Sequence, residues 1–498
     1  MDTIVIIDYG NSNNEALLRK LRDADCYSLL LPSEVAHEKI KEIKDLKGII
    51  LSGGERGINQ NNDLFDEDLL TYNVPILGIS YGMEILGRYL GAKVSYVEDR
   101  EYSNHVIRVG TYSPLFKNCN DELVVYIPHT FKLDNLHAEE IALSDSLGVV
   151  GFKKYNLYGL EFLPESPRCE NGWEILNNFI DICSCHRDFT LDNFINQKVN
   201  SIKEEVKDEK VLLGLSGGLD SAVCALLLKE AIGDNLKCVF IETGLHRKME
   251  HDHIVSRFKE LGIEVTLVDE GELFIERLKG VIDPDKKREV ISKTFIEVLN
   301  REAKKMGNIK FYGQGTLYTD IKESKWSNKN KVIKKSSNVL NDLTILEPLK
   351  ELTKEEVRIV GKYLGLSDVF YKIQPFPFYG LALRIIGEVT LMKLEIIRET
   401  DRILHDEVKK AGVRRDLYQY FTVLTNIDSV GITKDNKVYY HTIAIRAVTS
   451  MDGINAKFYH FDMDLLEKIS RRIVQEVRGV NRVVYDITSK PPSTIEYQ

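Results

Sequence analysis

The chain has 498 residues, 43% hydrophobic and 29% charged, a composition typical of a globular protein too long for one hydrophobic core. Its net charge of −9 argues against bulk binding to nucleic acid, and it contains no run of about 18 apolar residues that would predict a membrane span. No basic leader precedes the first strand pattern, so we expect a cytoplasmic protein. The seven cysteines are scattered, with only Cys183 and Cys185 close in sequence, and predict free thiols without a zinc site or disulfide framework.

Short apolar strands alternate with helical patterns over residues 1–185 and predict an open α/β sheet. Within this segment, Gly78-Ile-Ser80-Tyr-Gly82 has the spacing of a nucleophile elbow. The glycine turn 52–55 follows a strand and can present backbone N–H groups as an oxyanion hole. Taken alone, Ser80 indicates a serine amidohydrolase, for which His129 and His137 are the candidate bases. That hypothesis stays open at this point.

The elbow, together with Leu163-Pro164-Glu165 after a late strand, makes residues 1–185 resemble the class I glutamine amidotransferase family. The resemblance implies a Cys-His-Glu triad, with cysteine in the elbow and the other two residues in a His-Pro-Glu string. Here Ser80 replaces the nucleophile and Leu163 replaces the base, while Glu165 is retained. A hydroxyl is less acidic than a thiol, and no imidazole at this position takes its proton. We therefore predict an amidotransferase fold that does not hydrolyse glutamine.

Residues 211–223 combine a buried strand, a glycine loop and the start of a helix, which together predict a phosphate-binding cradle. Glycine lets backbone N–H groups approach a phosphate, hydroxyl groups add donors, and the helix N-terminus adds partial positive charge. The lysine of a Walker A loop is replaced here by Asp220, which indicates a divalent cation and a bound pyrophosphate group. The predicted ATP-binding residues of this loop are Ser216, Gly217, Gly218, Leu219, Asp220 and Ser221.

Further strands at 236–242, 264–269 and 308–313 predict a doubly wound sheet, in which ligands bind beyond the carboxyl ends of the strands. The strand ends predicted to contact adenine and ribose contain Thr243, Gly244, Gln314, Gly315 and Thr316.

Charged residues that follow these strands are the next candidates for the site. Asp320 and Glu323 are candidate metal or nucleotide ligands, or else solvated carboxylates. The lysine-rich segment 322–335 predicts either a mobile loop that closes over phosphates or a solvated surface loop. Lys350 is a more localised cation close to a predicted helix start.

The strings SGGxDS, GQGTxYxD and EPLKEL, in this order, resemble the ATP-pyrophosphatase domain of the GMP synthetase family. The resemblance implies that residues 186–376 use ATP and Mg²⁺ to adenylate a carbonyl oxygen, releasing pyrophosphate, before ammonia displaces AMP. It implies catalytic roles for Asp220 and Lys350 and metal ligation by Asp220 and Asp320. In that family the acceptor is xanthosine monophosphate.

Residues 377–498 predict a small α+β module, and 479–497 follow the terminal signature of the same family. The resemblance implies a homodimer formed through this module, with Arg384, Lys490, Ile495 and Glu496 contacting the acceptor nucleotide.

The predicted acceptor pocket departs from the family in two places. Phe378 and Tyr379 replace smaller residues and add an aromatic stacking face, and Ser336-Ser337-Asn338 replaces a His-His-Asn string. The identity of the acceptor therefore stays open.

Taken together, the sequence predicts an α/β multidomain protein with two open, mostly parallel, doubly wound sheets and a small α+β dimerisation domain. The predicted function is that of an ATP-dependent, adenylate-forming ligase. It would aminate a purine nucleotide or related small acceptor with free ammonia or another small nucleophile, or with ammonia from a separate protein. A nucleotide-binding regulatory pseudoenzyme and a Ser80-centred amidohydrolase are the alternatives.

Overall fold

The computed structural model describes two compact units, Met1–Gln197 and Lys198–Gln498. The described residues are 1–10, 14–53, 65–96, 103–128, 131–248, 250–317, 343–371, 374, 376–433, 436–450 and 455–498. Among them no helix combines the length and the apolar character that crossing a bilayer requires.

The first unit is built on a nine-stranded sheet with the order β2-β1-β3-β4-β11-β10-β9-β6-β7. The five strands from β2 to β11 are parallel, and the others are added antiparallel. A separate antiparallel pair joins β5 to β8. The strands are β1 (Thr3–Asp8), β2 (Tyr27–Pro32), β3 (Leu46–Ser52), β4 (Ile76–Ile79), β5 (Lys93–Tyr96), β6 (Ser103–Val109), β7 (Glu122–Ile127), β8 (Phe131–Asp134), β9 (Glu139–Ser144), β10 (Gly148–Lys154) and β11 (Leu157–Leu160).

Helices cover this sheet because its central strands are apolar throughout and must be buried on both faces. In β1 and β4, for example, nearly every side chain is buried. The helices are α1 (Asn14–Asp23), α2 (Ser33–Ile40), α3 (Tyr81–Tyr89), α4 (Gly172–Ile182) and α5 (Leu191–Val206), the last continuing into the second unit.

The second unit begins with a five-stranded, fully parallel sheet in the order β14-β13-β12-β15-β16. Strand β12 is central, so the loop that follows it opens at the middle of the carboxyl edge. The elements are β12 (Lys210–Gly214), α6 (Leu219–Ile232), β13 (Leu236–Glu242), α7 (Glu250–Glu260), β14 (Val265–Asp269), α8 (Gly271–Arg277), α9 (Pro284–Met306), β15 (Ile309–Gly313), β16 (Thr344–Leu346), α10 (Lys354–Tyr363) and α11 (Asp368–Tyr371).

A smaller α+β part completes the second unit. Its long strands β17 and β18 form an antiparallel ribbon, with β19 antiparallel and β20 parallel to β18. The elements are α12 (Leu391–Lys410), β17 (Gln419–Thr433), β18 (Asn436–Thr449), β19 (Lys457–Phe458), α13 (Met463–Glu476) and β20 (Val480–Asp486).

One hydrophobic core runs through both parts of the second unit. It contains Leu212 and Val239 of the parallel sheet together with Ile396, Tyr420 and Ile469 of the C-terminal part. The predicted fold class is confirmed by two α/β sheets followed by an α+β module. The three domain ranges 1–185, 186–376 and 377–498 remain a proposal, with the last two joined by this core.

Candidate active sites

The first candidate site is the turn between β4 and α3, and its backbone has the geometry of a nucleophile elbow. Ser80 is buried and has φ 53° and ψ −113°, a strained conformation for a residue other than glycine. A Cβ on Gly78 would lie 2.4 Å from the carbonyl oxygen of Gly82, and one on Gly82 would lie 2.0 Å from that of Leu51. Glycine is therefore required at both positions to keep the turn this tight.

Strand pairing fixes the elbow beside the end of β11. The N–H of Ser80 donates to the carbonyl oxygen of Leu160 at 2.7 Å, continuing the parallel ladder of β4 and β11. Leu163 and Glu165 follow β11, and both are buried, with exposed fractions of 3% and 2%. The position that would hold an imidazole is therefore filled by an isobutyl group, which cannot accept a proton.

His137, one of the two histidines proposed as a base for Ser80, is not placed beside it. His137 is exposed, and a Cβ on Gly91, just beyond the C-terminus of α3, would lie 3.8 Å from its ring. Ser80 lies at the opposite end of α3, and nine helical residues span about 13 Å, far beyond hydrogen-bond reach. His137 as the base is therefore wrong. His129, Gly54 and Glu55 lie outside the described residues.

Glu161 is an unexpected carboxyl group next to this turn. It is fully buried, and its Oε1 accepts the N–H of Phe131 at 3.1 Å. Within the described part of the chain its Oε2 has no hydrogen-bond partner. Burial raises the pKa of Glu161 to about 8, so the group is mainly protonated and neutral at pH 7.

The second candidate site is the loop between β12 and α6. Gly217 has φ 77°, and a Cβ there would lie 2.5 Å from Cδ1 of Ile254, so only glycine fits. The hydroxyl of Ser221 donates to the carbonyl oxygen of Gly218 at 3.0 Å, and that of Ser216 donates to Oγ of Ser221 at 3.1 Å. These bonds hold the loop open at the N-terminus of α6, where the first N–H groups have no partner within the helix.

The ends of β13 and β15 flank this loop, as the sequence predicts for adenosine contacts. A Cβ on Gly315 would lie 3.3 Å from the backbone of Asp220, so the turn after β15 packs directly against the start of α6. Thr316 is buried, and its Oγ1 has no hydrogen-bond partner among the residues described. Thr243 is also buried, and its Oγ1 accepts the N–H of Leu245 at 3.3 Å. An unsatisfied buried hydroxyl next to an open helix N-terminus fits a polar ligand.

Asp220 has a partner that sequence analysis missed. Both of its carboxylate oxygens lie 2.6 Å from Nζ of Lys354, the first residue of α10. A capping box fixes that helix start, because Thr353 and Glu356 each accept the other's backbone N–H. Lys350, which the sequence predicts to be catalytic, lies exposed on the turn before α10. Asp320, Glu323 and the whole lysine-rich segment 322–335 lie outside the described residues.

The third candidate site surrounds Arg384 in the C-terminal part of the second unit. Arg384 is fully buried, and its guanidinium lies 4.2 Å from the ring centroid of Phe421 and 5.2 Å from that of Phe376. Its Nη2 donates to Oε1 of Glu496 at 3.3 Å. Nε and Nη1 of Arg384 have no hydrogen-bond partner among the described residues. Two unused donors on a buried cation fit an anionic ligand.

Asp401 provides the negative charge behind this arginine. Its Oδ2 accepts Nε of Arg247 at 2.9 Å, its Oδ1 accepts the N–H of Thr422 at 3.2 Å, and Nη1 of Arg384 lies 4.0 Å away. Burial acts to raise the pKa of Asp401, but the surrounding cationic side chains outweigh it and hold the pKa below its usual value. Arg247 follows β13, so Asp401 connects the parallel sheet of the second unit to its C-terminal α+β part.

The C-terminal tail lies against the same region, and Arg446 anchors it. This buried arginine donates to the carbonyl oxygens of Thr488, Thr494 and Ile495, and to Oγ of Ser493. Of the predicted acceptor residues, Ile495 packs in a small core with Val448 and Ala456, and Glu496 pairs with Arg384. Lys490 pairs with Ala456 through backbone hydrogen bonds of 2.7 and 3.0 Å.

The predicted aromatic residues of the acceptor pocket pack against α9. Phe378 contacts Phe295 edge-to-face at 5.0 Å, and Tyr379 lies 5.9 Å from the guanidinium of Arg288. The rings next to Arg384 are instead those of Phe376 and Phe421. Ser336, Ser337 and Asn338 lie outside the described residues.

An elbow-bearing amidotransferase fold, a pyrophosphate-type ATP loop and an α+β module together define an ATP-pyrophosphatase with an amidotransferase domain. Comparison with known families supports each part. Residues 5–183 match class I glutamine amidotransferases, residues 190–304 match NAD synthase, and residues 406–497 match the GMP synthase C-terminal domain.

Full-length relatives give the particular family. The chain is 43% identical to the glutamine-hydrolyzing GMP synthase of Lactobacillus gasseri, covering 100% of this chain and 98% of that protein. It is 42% identical to the corresponding enzyme of Bacillus cytotoxicus, covering 100% and 99%. The crystal structure of a GMP synthase subunit from Thermoplasma acidophilum is also similar, with 26% identity, a TM-score of 0.33, and coverage of 37% of this chain and 94% of that one. The chain belongs to the GMP synthase family of ATP-pyrophosphatase-type ligases.

Proposed function

We propose that the chain adenylates a carbonyl oxygen of a purine nucleoside monophosphate, releases pyrophosphate, and aminates the activated acceptor with free ammonia. The loop 216–221 carries the first part of this proposal, because its open helix N-terminus and tight glycine backbone suit a pyrophosphate group. The acceptor that the family suggests first is xanthosine monophosphate.

ATP and Mg²⁺ fit the residues around this loop. Asp220 offers a partly exposed carboxylate, the oxygen ligand that Mg²⁺ prefers, and Lys354 offers an ammonium group beside it. Bound Mg²⁺ would neutralise charge on the phosphates. Within the chain, the N–H groups at the start of α6 would bind phosphate oxygens, and Lys354 would turn from Asp220 towards a phosphate. Thr316 would donate its hydroxyl to the nucleotide.

On the acceptor side, Arg384 would bind the phosphate of the acceptor through its two unused donors. Arg384 is buried and has lost its hydration, and the nearby carboxylate of Asp401 compensates its charge and orients its guanidinium. Glu496 and Lys490 of the tail would contact the ribose or base, as the family signature implies.

The absence of glutamine hydrolysis is the second part of the proposal. It rests on one observation: the elbow retains its strained backbone, whereas a hydroxyl and an isobutyl group replace the nucleophile and the base. The bacterial relatives named above are glutamine-hydrolyzing enzymes, so this chain would differ from them in its nitrogen source.

A nitrogen-source assay tests both parts together. The full chain, ATP and Mg²⁺ are incubated with each of a panel of nucleoside monophosphates and with either ammonium or glutamine, and AMP and product mass are measured. We expect AMP and an aminated product with ammonium, and neither with glutamine. Equal rates with ammonium and glutamine would contradict the proposal that the chain does not hydrolyse glutamine. No AMP with any acceptor would favour a nucleotide-binding regulatory protein, and Asp220→Asn is the inactive control.

We also propose that the chain forms a homodimer through its C-terminal part. The ribbon of β17 and β18 exposes four large apolar side chains, those of Ile427, Val430, Ile432 and Tyr439. An exposed apolar patch of this kind is typical of a protein–protein interface. Light scattering after size exclusion should give twice the 57.0 kDa chain mass, and Ile432→Asp should shift it towards the monomer. A wild-type mass of one chain would contradict the proposal.

A further inference from the structure

Three of the seven cysteines lie close together in the first unit, away from the elbow turn. Cys26 directly precedes β2, Cys183 follows the last residue of α4, and Cys185 lies two residues further on. Cys26 and Cys183 are buried, whereas Cys185 is partly exposed. The proposed ligase function uses none of these thiols.

Contacts on both sides of Cys26 bring it close to Cys185. The N–H of Phe189 donates to the carbonyl oxygen of Asp25 at 3.0 Å, and Nη1 of Arg187 donates to that of Ala24 at 3.1 Å. The rings of Tyr27 and Phe189 stack with centroids 5.7 Å apart. Residues 24–27 therefore lie alongside residues 185–189, which places Cys26 next to Cys185.

Cys183 is directed elsewhere. A Cβ placed on Gly48 of β3 would lie 2.4 Å from its sulfur and 3.6 Å from a side-chain carbon of Ile4 in β1. Its sulfur is thus packed against the sheet, and burial raises its pKa well above the usual value. The close thiol pair is consequently specific to Cys185.

The environment makes the two thiols of the pair unequal. The interaction with the thiol of Cys26 lowers the pKa of Cys185, and the charges of Lys47 and Arg187 act in the same direction against burial and Asp2. The same interaction, together with burial, raises the pKa of Cys26. Cys185 is therefore the more acidic thiol of the pair and also the more exposed one, whereas Cys26 is buried, which is the division of roles between an attacking and a resolving cysteine.

We propose that Cys26 and Cys185 form an oxidisable dithiol that a hydroperoxide converts into a disulfide. The thiolate of Cys185 attacks the peroxide, takes one oxygen as a sulfenic acid and releases the corresponding alcohol. The sulfur of Cys26 then attacks the sulfenic sulfur, the S–S bond forms, and water leaves with the proton of Cys26. Two thiols lose two electrons and two protons in total, and one hydroperoxide takes them up to become alcohol and water.

The disulfide would close a covalent loop from the start of β2 to the end of α4. That loop contains the elbow and most strands of the first unit, and cross-links that close long loops restrict the unfolded chain most strongly. Oxidation should therefore raise the thermal unfolding temperature of the wild-type protein and leave Cys26→Ser unchanged.

Thiol counting with peptide mapping tests the proposal on the full chain. Reduced protein is treated with tert-butyl hydroperoxide, alkylated and digested. We expect two fewer free thiols than the seven of the reduced chain, and a cross-link between the Cys26 peptide and the peptide that contains Cys185. Because no lysine or arginine separates Cys183 from Cys185, the matched variant Cys183→Ser is needed, and it should still form the link. Cys185→Ser should lose it.

Two outcomes of the peptide mapping would overturn the proposal. One is a full complement of thiols after treatment, and the other is a link that persists in Cys185→Ser but disappears in Cys183→Ser. An independent measurement uses phenylarsine oxide, which bridges neighbouring thiols without an oxidant. We expect one equivalent to bind to wild type and to Cys183→Ser. Equal binding to Cys26→Ser would contradict the pairing.

Discussion

Restoring the two missing groups of the amidotransferase triad should create glutaminase activity in this chain. The double variant Ser80→Cys/Leu163→His places a thiol in an elbow whose backbone is already bent as a nucleophile requires. It also places an imidazole at the buried position that precedes Glu165 by two residues. Since Ser80 is held by its 2.7 Å backbone bond to Leu160, neither substitution requires the turn to move.

The expected gain follows from what each group supplies. General base catalysis contributes roughly 10²- to 10⁴-fold, so the double variant should exceed Ser80→Cys by that factor, or about 3–5 kcal/mol of barrier. Ser80→Cys alone supplies a better nucleophile but leaves a leucine in the place of the base. Leu163→His alone leaves a hydroxyl, and we expect it to stay at the wild-type background.

Ammonia release from glutamine, coupled to glutamate dehydrogenase, measures the effect. If wild type released ammonia at the rate of the double variant, the chain would have another nucleophile or base, contrary to the prediction. If Ser80→Cys were as active as the double variant, the imidazole at position 163 would not act as the base. Adding Glu165→Gln to the double variant should lower its activity again, since the carboxylate would no longer orient the imidazole.

Four further substitutions test other parts of the structure. Burial raises the pKa of Glu161 from 4.5 to about 8, so between these pH values the folded chain binds a proton that the unfolded chain has lost. The free energy of unfolding should therefore fall by about 1.4 kcal/mol per pH unit across that window. Glu161→Gln should remove this slope in thermal melts at pH 5 and pH 8. Gly217→Ala forces a side chain into a left-handed conformation costing about 1–2 kcal/mol and should raise KM for ATP about tenfold or more in pyrophosphate release assays. Asp401→Asn leaves buried arginines without their counter-charge and should lower the unfolding free energy of the second unit by about 3 kcal/mol in urea titrations. Lys354→Met should reduce AMP formation far more than Lys350→Met, since only Lys354 is placed on Asp220, and the reverse order would favour the sequence prediction.

Short sequence motifs were sufficient to predict those parts of the fold and of the candidate sites that are built from consecutive residues. The loop 216–221 was recognisable because strand, glycines and helix start follow one another without interruption. The change at Leu163 was visible for the same reason, since it stands within a short motif. In these places the chemistry and the backbone conformation are set by the same few residues.

Contacts between distant segments could not be predicted in this way. Lys354 meets Asp220 across 134 positions, and Arg446 reaches the tail 42 to 49 positions later. Each of these side chains is an ordinary charged residue within its own segment. The sequence signal that could have found Lys354 is the capping box of Thr353 and Glu356. It marks a helix start but does not show that this start faces the phosphate loop.

The hydrophobic core shared by both halves of the second unit limits how the protein can be divided. A fragment ending near residue 376 would lose the apolar side chains that cover one side of the parallel sheet, and a fragment beginning there would expose Leu381, Ile396 and Tyr420. The loop 216–221 and Arg384 therefore belong to parts of the second unit that fold together. Calorimetry should accordingly show the second unit unfolding in a single cooperative transition. Nucleotide bound at the loop 216–221 should raise the unfolding temperature of the whole unit, including the strands of its C-terminal part.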